Sequence, residues 1–107
     1  MSDTLARLEA TIAARKGADP STSYVASLFA KGRPRIARKL GEEAVEAIVA
    51  ALAEDKAALT GEAADLIFHL LVLLAETGIP LADVLAELDR REGVSGIAEK
   101  AARPPAP

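Results

Sequence analysis

The chain contains no cysteine and no tryptophan, and only three of its 107 residues are aromatic. Without cysteine, disulfide bonds, zinc–thiolate centres and thiol nucleophiles are excluded. With so few aromatic residues, the core has to be built from leucine, alanine, isoleucine and valine, which is typical of packed helices rather than of a β-sandwich. At this length we expect one domain.

The chain also lacks an excess of positive charge, since its formal net charge is −3. General nucleic-acid binding usually requires a basic surface, so we expect no nucleic-acid partner. The N-terminus alternates charged and apolar residues and has no continuous apolar stretch typical of a signal peptide. Uninterrupted apolar runs such as Leu70 to Ala75 are too short to cross a bilayer. We therefore expect a cytoplasmic protein with no membrane partner.

Apolar residues recur at helical spacing along most of the chain, and glycine or proline separates most of the periodic stretches. This pattern predicts an all-α bundle of four or five helices, with residues 1–100 as a single domain. The predicted helices run from the N-terminus to Gly17, from Tyr24 to Ala30, from Pro34 to about Glu54, onward to about Thr77, and from Leu81 to about Arg91. Residues 101–107 are rich in proline and are predicted to be a disordered tail.

The segment from Leu66 to Leu74 is apolar on nearly all sides. A helix of this kind is usually buried all round, and a chain this small suggests a core completed by a homodimer. His69 lies inside this segment and is expected to be a buried, hydrogen-bonded side chain rather than a ligand or base. The aromatic residues are expected to pack in the core, although Tyr24 follows a polar loop from which it could face a ligand.

Two acidic pairs with equal spacing carry the strongest chemical signal. Glu43 and Glu46 are three positions apart, as are Glu62 and Asp65, so each pair lies on one face of a helix. At a rise of ~1.5 Å per residue, Glu46 lies about 13 Å before a turn near Asp55 and Glu62 about 11 Å after it. Two antiparallel helices joined by that turn would therefore bring the pairs to nearly the same height.

Crowded carboxylates repel one another and are costly to desolvate unless a cation lies between them. Oxygen ligands alone favour a hard divalent ion, so the four acids predict a Mg²⁺ site, with Mn²⁺ able to substitute. A single acidic pair would be interpreted as solvated surface. Two matched pairs about one turn, with Glu42 beside the first, favour the metal site.

A basic segment comes directly before the acids. A helix N-terminus with cationic side chains, one turn ahead of metal-binding carboxylates, suits a polyphosphate ligand. The candidate phosphate-binding residues in this segment are Lys31, Arg35, Arg38 and Lys39. The alternative is salt bridging within the helix, between Arg38 and Glu42 and between Lys39 and Glu43.

The pattern Glu42-Glu43-x-x-Glu46, followed by Glu62-x-x-Asp65, resembles the signature of the MazG-like all-α nucleotide pyrophosphohydrolases. Within that superfamily the chain is similar to the phosphoribosyl-ATP pyrophosphohydrolases of histidine biosynthesis. This closer similarity lies in the stretches Arg15 to Pro20, Ser23-Tyr24, Lys39 to Glu46, Ala64 to Leu74 and Glu99 to Ala101. The resemblance covers nearly the whole chain and leaves out only the last few residues.

The resemblance implies that a homodimer hydrolyses phosphoribosyl-ATP to phosphoribosyl-AMP and pyrophosphate with Mg²⁺, the second step of histidine biosynthesis. It implies a catalytic role for Glu42, as a water-orienting base or a further ligand. It also implies metal ligands at Glu43, Glu46, Glu62 and Asp65. With these roles, the basic residues named above would stabilise negative charge on the departing pyrophosphate.

Two other functions are compatible with the same residues. A house-cleaning pyrophosphatase of free NTPs or dNTPs would use the same acids and differ only in the pocket for the base and sugar. In a non-catalytic helical dimerisation module, by contrast, the acids would be surface residues and Leu66 to Leu74 would be the partner-binding stripe. An increase in the stability of the folded protein with Mg²⁺ would indicate a metal site, whereas an acidic surface should show little specific effect.

Overall fold

The computed structural model describes residues 3–94 and 96–104. Within these ranges the chain forms six helices and no strand, so the prediction of an all-α fold is confirmed. The helices are α1 (Thr4–Arg15), α2 (Tyr24–Lys31), α3 (Arg33–Ala53), α4 (Lys56–Thr77), α5 (Leu81–Arg91) and α6 (Gly96–Ala102). The first five correspond to the predicted helices.

The sixth helix, α6, corrects the predicted number of four or five helices. It is only seven residues long, and a helical period does not stand out over so short a stretch. Because it ends at Ala102, it runs past the predicted domain end at residue 100 and into the predicted tail. The end of that tail, residues 105–107, lies outside the described residues.

Helices α3 and α4 form an antiparallel hairpin, the longest element of the fold, and local signals fix both of its ends. Gly32, in the left-handed region with φ 92°, separates α2 from α3, and Pro34 lies in the first turn of α3. Asp55 caps α4 by accepting a hydrogen bond from the Ala58 backbone N–H at 2.8 Å. Gly78, with φ 77°, ends α4 in a left-handed cap. The two-residue connection between α3 and α4 sets the register of the acids they carry.

The hydrophobic core lies where the N-terminal half of α3 and the C-terminal half of α4 meet α1, α2 and the start of α5. Its buried residues come from five helices: Ile12, Leu28, Ile36, Leu71, Val72 and Leu81. Phe29 and Phe68 pack against this cluster, as expected for aromatic residues in a small helical core. The core therefore anchors the half of the hairpin that lies farther from its turn.

Helix α4 is long and apolar enough to cross a membrane, the one such helix in the described part of the chain. It packs along α3 and against α1, and it carries the polar side chains of Glu62, Asp65 and His69. These contacts are typical of the central helix of a bundle. Such a helix can be as long and as apolar as a membrane span.

The half of the hairpin nearer the turn leaves large apolar side chains exposed. On α3 they form a stripe with helical spacing, which we call the α3 apolar face: Val45, Ile48, Val49 and Leu52. Leu52 is 84% exposed and Ile48 is 58% exposed. The radius of gyration is 15.9 Å, larger than the ~13 Å of a compact chain of this length. A single copy of the chain thus leaves apolar surface uncovered.

Candidate active site

Three of the four predicted metal ligands meet between α3 and α4. One carboxylate oxygen from each of Glu43, Glu62 and Asp65 lies within 4.8 Å of the other two. Glu43 comes from the middle of α3, and the other two come from adjacent turns of α4. The hairpin therefore brings acids from both pairs to one height. Their role as metal ligands stays a prediction.

The fourth predicted ligand, Glu46, lies outside this group of three and is exposed. Desolvation raises the pKa of Glu62, and the negative charges of the neighbouring acids Glu46, Asp65 and Glu43 raise it further. A cation bound among these acids would compensate their repulsion.

Glu43 differs from its neighbours because its side chain is buried, with 6% of the residue exposed. Its Oε1 lies 3.4 Å from the Lys39 Nζ, whereas its Oε2 has no hydrogen-bond partner in the described part of the chain. A buried carboxylate oxygen without a partner is destabilising. Two further carboxylates lie beside it, so the residues present fit a cation, and an all-oxygen donor set fits Mg²⁺ or Mn²⁺.

Glu42, the predicted catalytic residue, is not part of the three-acid group. Its side chain is 48% exposed and forms ion pairs with Arg38 at 3.4 Å and with Lys39 at 3.8 Å. The salt bridges that were the alternative to phosphate binding are therefore present within α3, including the pair of Lys39 with Glu43. The exposed pair of Arg38 with Glu42 contributes only about 0–1 kcal/mol, so a phosphate group can displace it.

The remaining predicted phosphate-binding residues, Lys31 and Arg35, are exposed near the start of α3. They border a shallow depression of about 370 Å³. Arg33, between them in sequence, instead pairs with Glu76 at 3.6 Å and so joins the start of α3 to the end of α4. Of the four candidates, the structure thus places Lys39 and Arg38 among the acids and the other two nearer the helix N-terminus.

His69 is buried, as expected, and both of its ring nitrogens are hydrogen-bonded. Nδ1 lies 2.7 Å from the backbone oxygen of Asp65, one helical turn earlier. Nε2 lies 3.0 Å from the hydroxyl of Tyr24 on α2. The Tyr24 ring stacks on Phe68, with ring centres 6.2 Å apart. The sequence does not reveal the contact between Tyr24 and His69, because these residues are 45 positions apart on two different helices.

The chain matches known proteins over almost its whole length. Residues 5–92 match the sequence model of the family described as "Phosphoribosyl-ATP pyrophosphohydrolase". A relative from Rhizorhabdus wittichii, named Phosphoribosyl-ATP pyrophosphatase, is 74% identical over 104 residues, which cover 97% of this chain and 98% of the relative.

Two further relatives carry the same name. The protein from Dinoroseobacter shibae is 66% identical over 99 residues, covering 92% of this chain and 97% of that protein. The one from Novosphingobium aromaticivorans is 65% identical over 101 residues, covering 94% of each. All of the acids, basic residues and aromatic residues described above fall within the matched residues 5–92. The chain belongs to the phosphoribosyl-ATP pyrophosphohydrolase family.

Proposed function

We propose that this protein hydrolyses phosphoribosyl-ATP to phosphoribosyl-AMP and pyrophosphate in the cytoplasm, the second step of histidine biosynthesis. One observation carries the proposal: Glu43, Glu62 and Asp65 bring carboxylate oxygens within 4.8 Å of one another. They do so inside the region that matches the family. A negatively charged polyphosphate could approach such a cluster only with a cation between them, which links the proposed substrate to a metal.

The proposed metal is Mg²⁺, with Mn²⁺ able to replace it. Glu43, Glu62 and Asp65 would hold it, and Glu46, whose charge raises the pKa of Glu62, would complete the set of acids. The buried Oε2 of Glu43, which has no hydrogen-bond partner among the residues that the structure describes, supports this assignment. A bound divalent ion supplies Lewis-acid polarisation of phosphate oxygens and lowers the pKa of a coordinated water.

The chain's own residues supply the proton acceptor and the phosphate contacts. Glu42, exposed beside Glu43 on α3, is the proposed base that takes a proton from the attacking water. The water oxygen bonds to the α-phosphorus, and the bond to the β-phosphate breaks in line with it. Arg38 and Lys39 can exchange their ion pairs with Glu42 for oxygens of the departing pyrophosphate. Lys31 and Arg35 would add positive charge nearer the start of α3.

We also propose that the protein is a homodimer. The α3 apolar face is exposed, and two residues of α4, Ile67 and Leu70, are 44% and 39% exposed. Burial of such side chains contributes about 25 cal/mol per Å² of apolar surface. A second copy of the chain is the simplest partner that could cover these residues, because a two-fold interface matches a surface to itself.

Pyrophosphate release from phosphoribosyl-ATP, with ATP and dUTP as parallel substrates, tests the proposed activity with and without Mg²⁺. We expect metal-dependent turnover confined to phosphoribosyl-ATP. Comparable turnover of the free nucleotides would instead support a house-cleaning pyrophosphatase. Absence of turnover with all three substrates would support the non-catalytic dimerisation module.

A further inference from the structure

The Tyr24 hydroxyl is connected to α4, the helix that carries Glu62 and Asp65 of the candidate active site. It is hydrogen-bonded to His69, which is itself bonded to the backbone oxygen of Asp65. Tyr24 is nevertheless 52% exposed. A ligand bound beside Asp65 therefore has access to its side chain.

The hydrogen bonds of His69 determine whether the Tyr24 hydroxyl can donate a hydrogen bond to a ligand or only accept one. The backbone oxygen of Asp65 can only accept, so the Nδ1 of His69 carries the hydrogen of that bond. In a neutral imidazole the other nitrogen, Nε2, then accepts, and the Tyr24 hydroxyl donates to it. The hydroxyl hydrogen is thus committed to His69, and only lone pairs of the oxygen remain for another partner.

We propose that Tyr24 contacts the substrate and accepts a hydrogen bond from a hydroxyl or amino group of its nucleoside part. This inference rests on the proposed function and adds a residue that recognises the part of the substrate away from the polyphosphate. Ionised phosphate groups offer no hydrogen to donate, so they do not match an oxygen that can only accept. Ribose hydroxyls and the amino group of a purine carry a hydrogen that they can donate to this oxygen.

The ring of Tyr24 is held in position before any ligand arrives. One face stacks on Phe68 with an angle of 21° between the ring planes, and the hydroxyl is fixed by His69. Little side-chain entropy is therefore lost when a ligand binds, which favours a role in binding and orientation. The basic residues of α3 remain the contacts of the phosphate groups.

The test compares Tyr24→Phe with the wild type in three measurements: kcat and KM for phosphoribosyl-ATP, and the inhibition constant of inorganic pyrophosphate. The variant keeps the stacked ring and removes only the hydroxyl. We expect KM to rise about 3- to 10-fold, as for the loss of one neutral hydrogen bond, with kcat within about twofold of the wild type. The inhibition constant of pyrophosphate should not change, because pyrophosphate lacks a nucleoside.

Ser27→Ala is the matched control. It removes another hydroxyl from α2, one that donates to the Tyr24 backbone oxygen at 2.6 Å, and it should behave as the wild type. An unchanged KM in Tyr24→Phe would overturn the assignment of Tyr24 while leaving the proposed function intact. Weaker inhibition by pyrophosphate together with a lower kcat would also overturn it, since Tyr24 would then act on the part of the site that holds the phosphate groups. A wild type without turnover would overturn the proposed function and the assignment of Tyr24 with it.

Discussion

Glu43 is buried and forms an ion pair with Lys39, and its Oε2 has no hydrogen-bond partner among residues 3–94 and 96–104. One ammonium group 3.4 Å away does not compensate two further carboxylates nearby. Such an arrangement lowers stability unless a cation binds. Among the acids of the site, Glu43 should therefore be the one whose substitution most affects the response of the protein to a metal.

The first prediction concerns that response. Mg²⁺ in excess over its Kd should raise the Tm of the wild type by about 5–10 °C, because it binds only the folded chain. Glu43→Gln should lose most of this increase and abolish turnover, with its helical content preserved. Thermal unfolding followed by circular dichroism, at constant ionic strength and fixed protein concentration, measures the effect.

Glu54→Gln provides the control, since Glu54 is an exposed acid at the end of α3, outside the site. It should keep the full response to Mg²⁺. If NaCl at equal ionic strength gave the wild type the same increase in Tm, the metal site would be disproved. A full response in Glu43→Gln would remove Glu43 from the ligand set.

At the residue scale, three of the four acids predicted to meet do so, and Glu46 does not. Helical spacing and one turn fix the height of a residue along a hairpin, and this was enough to bring Glu43 near Asp65. The same reasoning could not show that Glu46 stays outside the group, because height along the hairpin does not fix the direction in which a side chain points around α3. The contact between Tyr24 and His69 depends on how α2 packs against α4, which the spacing of residues does not predict.

Among the elements, α5 depends on a contact from a distant part of the chain. Its N-cap residue is Pro80, which offers no side-chain cap. Glu9 of α1 takes that role, because its Oε2 accepts a hydrogen bond from the Leu81 backbone N–H at 2.7 Å. A carboxylate at a helix N-terminus is also favoured by the helix dipole. This contact fixes α5 to α1, next to the core position of Leu81.

The second prediction follows from that cap. Glu9→Ala should lower the free energy of unfolding by about 1 kcal/mol, and hence the Tm by about 4–8 °C, because the Leu81 N–H loses its acceptor. Denaturation in urea measures the change. Glu54→Ala, which removes a carboxylate far from α5, should have little effect. Equal stability of the Glu9→Ala variant and the wild type would show that the cap contributes nothing.

The third prediction concerns the pH dependence of α5. Hydrogen bonds and ion pairs with Arg90 and Arg91 lower the pKa of Glu87 from 4.5 to about 2. Because the folded chain has the lower pKa, the stabilisation is fully present above pH 4.5 and is lost as the pH falls toward 2. Glu87→Gln should therefore lower the Tm by about 1–2 °C near pH 6, and by less near pH 3.

Circular dichroism melts at the two pH values measure this difference. Glu92→Gln, at the exposed C-cap of α5, serves as the control and should show no such change with pH. A gap between wild type and Glu87→Gln that widened on acidification would contradict the assigned direction of the pKa shift. The effect is small because the side chains involved are largely exposed to solvent.

Most elements were predictable because their ends carry strong local signals. Gly32 and Gly78 end α2 and α4 with positive φ angles, which glycine adopts more readily than other residues. Pro34 lies in the first turn of α3, where its missing N–H leaves no helical hydrogen bond unmade. The short helix α6 was not predicted, because seven residues are too few for a helical apolar period to stand out. The cap of α5 by Glu9 was also out of reach, because it joins residues 72 positions apart.

At the scale of the whole molecule, the exposed apolar side chains lie in the half of the hairpin that the core does not reach. The α3 apolar face spans Val45 to Leu52, the same turns of α3 that carry Glu46. At ~100° per residue, Glu43 lies on nearly the opposite side of the helix. A partner covering this face would therefore bury apolar surface behind the acids. The homodimer stays a prediction.

The fourth prediction tests the proposed homodimer. Light scattering should give the wild type a mass of about 22 kDa, twice the 11.1 kDa of one chain. Ile48→Glu should shift the mass toward that of one chain, because a buried charge without a partner opposes association. Ala14→Glu, at an exposed position of α1, should leave the mass unchanged. A wild type with the mass of a single chain would disprove the dimer.

The hairpin that brings the acids together also bears on how the chain folds. Its two helices are neighbours in sequence and share the most extensive interhelical contact of the molecule, so few long loops have to close before they pair. Local topology of this kind favours rapid folding, with the hairpin forming early. Pairing α3 with α4, however, brings Glu43 toward Glu62 and Asp65, and like charges oppose that approach. We therefore expect the carboxylates of the site to slow the pairing of the two helices that carry them, and variants with neutral amides in their place to fold faster.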